Sequence, residues 1–329
     1  MWKCCRFFAL AGALLMVQGV VHGADSKAKS WPTKTVRMVV PFAPGGANDL
    51  IARILAPALY EELGQAFVVD NRAGASGNLG TEIVVGAQPD GHTLLVGNVS
   101  TNAINPTGFA SILKYNAVKD LTGVTILSTI PNLLVSRTAF PPKDFKELVA
   151  YAKARPGQLN YSNPIGAYSH LDMLRFMAQA GITMLHLPTK GAGDTITAVL
   201  GGEIHFYFTN AATATPYVLG GRMKAYATTA KERLAELSSV PTTAEVGYPD
   251  IRGHIWIGLF LPAVTPRAVV DKLYASTLKV TERPQTRDLF AKARIPVALS
   301  QSPAAFQKYV VEETAVWARV IKEHDVKYY

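Results

Sequence analysis

Short runs of β-branched and aromatic residues alternate, along almost the whole chain, with stretches whose apolar residues recur three and four positions apart. The runs have strand length and the stripes are single helix faces, so the alternation restricts the fold to the α/β class, with largely parallel sheets as the expectation. Residues 36–40, 66–70 and 93–96 read as strands, with a helix carrying Leu50, Ile51, Ile54, Leu55, Ala58 and Leu59 and a shorter one over 81–86. A second series has strands at 133–135, 159–162, 184–187 and 205–208 and helices over 144–154, 170–180 and 194–200. Two later extended segments, MKAYATTA and IWIGLFLPA, return the chain to the first unit. At the C-terminus Ser302 caps a helix, Pro303 suits its first position, and Phe306, Tyr309, Val310, Trp317, Val320 and Ile321 form a core-facing stripe. Two units joined by more than one crossing imply a hinge and a cleft.

A chain of 329 residues, 49% hydrophobic, has material for two domains. Residues 1–23 read as an export signal: Lys3 and Arg6, an apolar core over 7–21, and small-residue chemistry ending at Gly23 or Ala24. That core of about 15 residues is short of the roughly 20 a spanning helix needs. Both cysteines, Cys4 and Cys5, leave with the signal, which excludes disulfides, thiol nucleophiles and cysteine metal sites and suits a periplasmic protein. Without Lys3 and Arg6 the formal charge of +9 falls to +7. That balance favours anionic partners in general, while no Lys/Arg run or motif points to nucleic acid.

Glycine-bearing loops follow successive strands: PFAPGGAND at 41–49, NRAGASGNLG at 71–80, NVSTN at 98–102, SNPIGAYSH at 162–170 and TKGAGD at 189–194. In parallel α/β sheets ligands sit beyond the carboxyl ends of strands, where helix N-termini offer free N–H groups to anions. Asn48 or Asp49 is placed to cap the first helix. The first loop lacks the Gly-Lys-Ser/Thr ending of a phosphate loop, and the second has neither the dinucleotide glycine pattern nor its acidic partner, so a carboxylate fits better than a nucleotide. No cofactor motif is present. Ser162, Ser169 and His170 lie near one another without a nucleophile elbow, and the seven histidines show no metal-binding spacing. Candidate ligand contacts are Phe42, Pro44, Gly45, Gly46, Ala47, Asn48, Asp49, Gly77, Ser100, Asn102, Ser162, Asn163, Ala167, Tyr168, Ser169, His170, Lys190 and Thr209. Lys190 reads either as a charge for a second carboxylate or as a solvated helix-start lysine, and Tyr168 either as a stacking platform or as lobe-edge packing.

PFAPGGANDLIAR, NRAGASGNLG, PDGHTLL, STNAINP, NAVKDLTGV, IPNLLV, ELVAYAKARPGQLNYS, KGAGDTITAVLGGEI, VPTTAEVGYPD and WIGLFLPAVTP, in that order, resemble the Bug/TctC family, the extracytoplasmic solute-binding proteins of tripartite tricarboxylate transporters. The resemblance runs from about Trp31 to the C-terminus. It implies a two-lobed periplasmic binding protein fold with hinge-crossing strands, divided as 31–127, 128–228 and a return over 229–329. It implies further that the 41–49 loop holds a carboxylate through backbone donors and bridging water, with 162–170 closing from the other lobe. The partners it implies are a small organic carboxylate and membrane transporter subunits; a sensor kinase ectodomain is the alternative receiver, and a periplasmic enzyme ranks below both. The chain departs from the family pattern at Ala167, where a serine or threonine often stands and which Asn163, Tyr168 or Ser169 could replace as donor. It departs again at Thr209, where an acid able to pair with an ammonium group is often found. A side chain larger than hydrogen at Gly45 is expected to weaken ligand binding far more than it lowers stability.

Overall fold

The computed structural model describes residues 30–163, 167–187, 189, 192–323 and 325–326. Cys4, Cys5 and the export signal over 1–23 lie outside the described residues. The strands are β1 (Val36–Val40), β2 (Phe67–Asn71), β3 (Thr93–Asn98), β4 (Leu121–Arg137), β5 (Asn160–Tyr161), β6 (Leu185–His186), β7 (Tyr207–Asn210), β8 (Met223–Thr228) and β9 (His254–Pro262). The main helices are α1 (Ala47–Leu63), α2 (Asn78–Val85), α3 (Phe145–Lys153), α4 (Tyr168–Ala180), α5 (Ala192–Gly201), α6 (Ala211–Leu219), α7 (Arg267–Glu282), α8 (Pro284–Lys292) and α9 (Pro303–Glu323).

One sheet runs β2-β1-β3-β9-β4-β7, with β8 also paired to β4. β1, β2 and β3 are parallel, and β5 and β6 form a separate parallel pair. The pairings of β9 with β3 and β4, and of β4 with β7 and β8, are antiparallel. The sheet is therefore mixed, against the expectation of largely parallel pairing, because the chain crosses between its units along two long neighbouring strands and not through crossover helices. β4 is 17 residues long. Residues 121–131 pair with β9, and 132–137 pair with β7 and β8. The expected boundary between 127 and 128 falls within it.

Two apolar clusters fill the structure. The larger runs from Trp31 and β1 through α1, β9 and the α9 stripe, where Phe306, Val310, Trp317, Val320 and Ile321 are buried. The second covers the outer face of the second unit with Phe145, Phe176, Phe206, Phe208 and Tyr226. Glu313 accepts from both the Trp256 and Trp317 indole N–H groups at 3.1 Å, so α9 is tied to β9 by polar bonds as well as by burial.

The two crossings meet at Asn132. Its N–H donates to Thr229 Oγ1 at 2.7 Å, the Thr229 N–H donates back to the Asn132 carbonyl at 3.0 Å, and the Thr229 hydroxyl donates to the Gly253 carbonyl. Asn132 Nδ2 also donates to Asp172 Oδ2 at 3.1 Å. Asp172, on α4, is fully buried and lies against Gly253, where a Cβ would sit 1.4 Å from its Oδ2. Its other oxygen has no partner among the described residues. Burial pushes this carboxyl up to about 7, with Arg175 and the Asn132 bond opposing and Glu313 adding to the rise. A folded pKa above the unfolded value means that the stability due to this group is complete below the ordinary carboxylate range and is lost as pH rises through about 7. Asp172→Asn should remove that loss, so its melting temperature at pH 8 should exceed the parent's by roughly 2–4 °C, with the difference shrinking by pH 4. Parallel melting curves across the range would show that Asp172 does not titrate there.

Candidate functional site

Because β1 lies between β2 and β3 and is parallel to both, the loops after all three leave the same edge of the sheet. Gly45 has φ +88° and Gly46 is the N-cap of α1, without a side-chain cap. Neither Asn48 nor Asp49 caps the helix, contrary to expectation; both are buried in its first turn and brace the loops instead. Asp49 Oδ2 accepts from the Gly45 N–H at 2.9 Å and from Arg53 Nε at 3.0 Å, and Oδ1 accepts from Asn71 Nδ2 at 3.0 Å. Asn71 Nδ2 also donates to the Phe42 carbonyl at 3.1 Å. Burial alone would raise the Asp49 carboxyl, but the bonds from Arg53, Gly45 and Asn71 together hold it below its ordinary value.

Asn48 reaches across the sheet. Its Nδ2 donates to the Val96 carbonyl at 2.8 Å and its Oδ1 accepts from Asn98 Nδ2 at 3.1 Å. Asn98 Oδ1 in turn accepts from the N–H groups of Ser100 and Thr101 at 2.9 and 3.3 Å. These bonds shape a π-helical turn over Ser100–Ile104, in which Thr101 Oγ1 donates to Asn102 Oδ1 at 2.6 Å and the buried Asn102 Nδ2 has no partner among the described residues. A Cβ on Gly77, which has φ +90°, would fall 2.5 Å from Thr101 Cγ2 and 3.2 Å from Phe42 Cζ. Phe42, Gly77 and the 100–102 turn are thus one packed unit. Pro44, Gly45 and Gly46 are exposed at its rim and Ala47 is half-buried.

In the second unit β5 is parallel to β6 and its Tyr161 makes a parallel bridge to Phe206, the residue before β7, so their C-terminal ends share an edge. α4 begins at Tyr168, two residues before the expected start, and its N-cap Ala167 provides no side-chain cap. Ser162 Oγ lies 3.0 Å from Thr189 Oγ1, and Thr189 Oγ1 lies 2.5 Å from Thr195 Oγ1. Asn163 Nδ2 donates to Ser169 Oγ at 2.9 Å and to the Phe208 carbonyl at 2.7 Å, while its Oδ1 has no partner among the described residues. Thr209 is buried on β7 near the Tyr207 hydroxyl. Tyr168 is buried in the larger core. His170 is buried in a ring stack with Tyr161 and His186, at centroid distances of 6.1 and 4.7 Å. Burial, then the neighbouring His186, lower its pKa to about 4, so the ring is neutral at pH 7 and supplies no charge to an anion. Lys190 lies outside the described residues.

The registers set the two loop groups opposite one another. Asn98 is level with Ile257 and Ile257 with Ser128; on the other side of the crossing, Asn210 is level with Asn132. The strand ends are therefore separated by four residues of β4, about 13 Å at the usual rise. Both carry helix N-termini without side-chain caps, at Gly46 and Ala167; the N–H groups of Ala47 and Asn48, and of Tyr168 and Ser169, precede the first bonds of their helices, Leu50 to Gly46 and His170 to Ala167. The arrangement suits a short molecule that is negative at one or both ends. The residue list from the sequence missed Asn71, Asn98, His186 and Thr189. Asn71 and Asn98 each begin a recognised loop, whereas nothing local marks a lone histidine on a short strand.

Residues 51–326 match the family described as tripartite tricarboxylate transporter family receptor. The chain belongs to this receptor family. Among its relatives, BugT of Bordetella pertussis is 29% identical over 323 residues, 98% of each chain. Among solved structures, MatC of Rhodopseudomonas palustris with bound malate is 32% identical with a TM-score of 0.80, covering 88% of this receptor chain and 100% of its own. Rpa4515 of R. palustris with adipate is 30% identical with a TM-score of 0.83, covering 90% of this chain and 99% of its own. These neighbours share the two-lobed α/β architecture, and the related proteins are receptors and binding proteins, not enzymes.

Two consequences for the receptor's first loop follow. Gly45 uses its N–H on Asp49, and its positive φ makes any side chain there cost about 1–2 kcal/mol, so a substitution at Gly45 lowers stability by itself. Asp49→Asn removes the charge but keeps the shape. It should cost about 1–3 kcal/mol in urea unfolding at pH 7. A depressed folded pKa contributes stability above the ordinary carboxylate range that is lost as pH falls through the folded value, so the gap between parent and variant should close in acid. A gap independent of pH would assign the cost to geometry alone.

Proposed function

We propose that the chain is a periplasmic solute-binding protein that takes a small organic carboxylate between residues 31–127 and 128–228 and delivers it to a tripartite tricarboxylate-type transporter. The observation that carries this reading is the pair of helix N-termini without side-chain caps, at Gly46 and Ala167, facing across the crossing strands. The first-turn N–H groups of α1 are the donors for one carboxylate, and those of Tyr168 and Ser169 serve the second end of the ligand. Buried groups without a hydrogen-bond partner among the described residues supply direction: Asn102 Nδ2 as a donor and Asn163 Oδ1 as an acceptor. The two neighbours described above hold dicarboxylates, malate in one and adipate in the other. Thr209 offers no charge to an ammonium group, which disfavours amino acids. Closure swings the lobes about the paired crossings at Asn132, Thr229 and Gly253. Export through residues 1–23 supplies the compartment.

Thermal unfolding of the chain lacking residues 1–23, against mono-, di- and tricarboxylates and amino acids, tests the proposal. A true ligand at 100 times its Kd stabilises by about 2.7 kcal/mol, a shift of several degrees. Ala167→Asp separates binding from folding. Aspartate at an N-cap adds about 0.5–2 kcal/mol of stability yet takes the N–H groups and repels an anion. The variant should melt at or above the parent temperature and lose the carboxylate shift. Retention of that shift would remove the α4 terminus from the site, and absence of any carboxylate shift in the parent would remove the function.

A further inference from the structure

A cavity of about 760 Å³ opens at the hinge, and none of the ligand contacts read from the sequence lines it. It lies on the face of the sheet that α9 covers. Thr129 and Pro131 pair with Trp256 and His254, so their side chains share the face covered by α9. On that face the Tyr309 ring meets Trp256 at 5.9 Å and its hydroxyl lies 2.9 Å from His254 Nε2. Ser128 and Asn132 alternate to the other face, the one level with Asn98.

The lining is chemically one-sided. Lys231, Arg252 and His254 contribute to it, and none of its lining residues is acidic. Arg252 is held at the rim by donating from Nε to the Pro249 carbonyl, and His254 Nδ1–H donates to the Arg252 carbonyl at 3.0 Å. Lys231 and Arg252 are exposed, and neither takes part in an ion pair among the described residues. Beside these cations the floor is apolar, made in part by Pro131 and Ile126. Two cations without acidic partners over an apolar floor, in a space of the size that small molecules occupy, match an anion attached to an apolar body.

We propose that this hinge cavity is a second ligand site, for an organic anion with an apolar or aromatic body, separate from the cleft between the lobes. Lys231 and Arg252 take the anionic group and the floor around Pro131 takes the body. Thr129 and Pro131 belong to the outgoing crossing, and Lys231, Arg252 and His254 to the return. The cavity therefore changes shape with the hinge angle, and an occupant favours the angle it fits.

The test uses 4-bromobenzoate as the probe, located by bromine anomalous scattering in crystals of the chain lacking residues 1–23 and titrated by calorimetry in solution. The expected result is a bromine in the hinge cavity with its carboxylate toward Lys231 and Arg252. The Lys231→Glu/Arg252→Glu variant should lose that peak and weaken the solution affinity by at least about tenfold; Lys231→Gln/Arg252→Gln serves if charge reversal lowers the melting temperature. Bromine found only between the lobes, unchanged affinity in the double variant, or a cavity peak without binding in solution would each overturn the proposal.

Discussion

A strand as long as Leu121–Arg137 must find partners for its backbone along its whole length, and how β4 does so organises the molecule. β9 pairs with its first part and β7 and β8 with the rest, so one strand is the spine of both lobes. At the changeover the ladder is held by side chains: Thr229 joins Asn132 to Gly253, and Asp172 fills the space that the missing Cβ of Gly253 leaves. Removing a buried partner here strands its neighbours without hydrogen bonds. A hinge built this way turns about few bonds while keeping its registers.

Register also decides what the loops meet. Since β4 leaves the first lobe at the edge where β1, β2 and β3 end, the second lobe stands over that edge. The strand ends of the second lobe point back toward it. A wall of amides, the buried Asn48 and Asn98 and the half-buried Asn71 among them, fixes the loop backbones on the first side, so the α1 terminus is presented in a preorganised state. Asp49 neutralises Arg53 and occupies the Gly45 N–H, which moves the available donors forward to Gly46 and the first turn of α1.

Much of this was legible from residue order. The stripe over Leu50–Leu59 and the run VRMVV mark α1 and β1 because amphipathic period and strand length are local properties. Phe306, Val310 and Trp317 read correctly as core for the same reason. The antiparallel centre of the sheet was not legible, since pairing partners 120 residues and more apart leave no local trace. Nor was the neutral state of His170, whose position at a glycine loop suggested chemistry but whose rings of contact come from Tyr161 and His186. Asn48 and Asp49 have the composition of a cap, and the competing bonds to Val96 and Arg53 drew them inward.

The sequence by itself determined the class of fold, the glycine loops after the strands, the family resemblance and the loss of the acid at Thr209, because these are carried by residue type and spacing. Tertiary structure alone decided which donors remain open, the distance between the facing helix termini, and the burial of Asp172 between the crossings. Each of those depends on residues brought together from separate lobes by a single strand, and proximity of that kind is set by register, which no local pattern encodes.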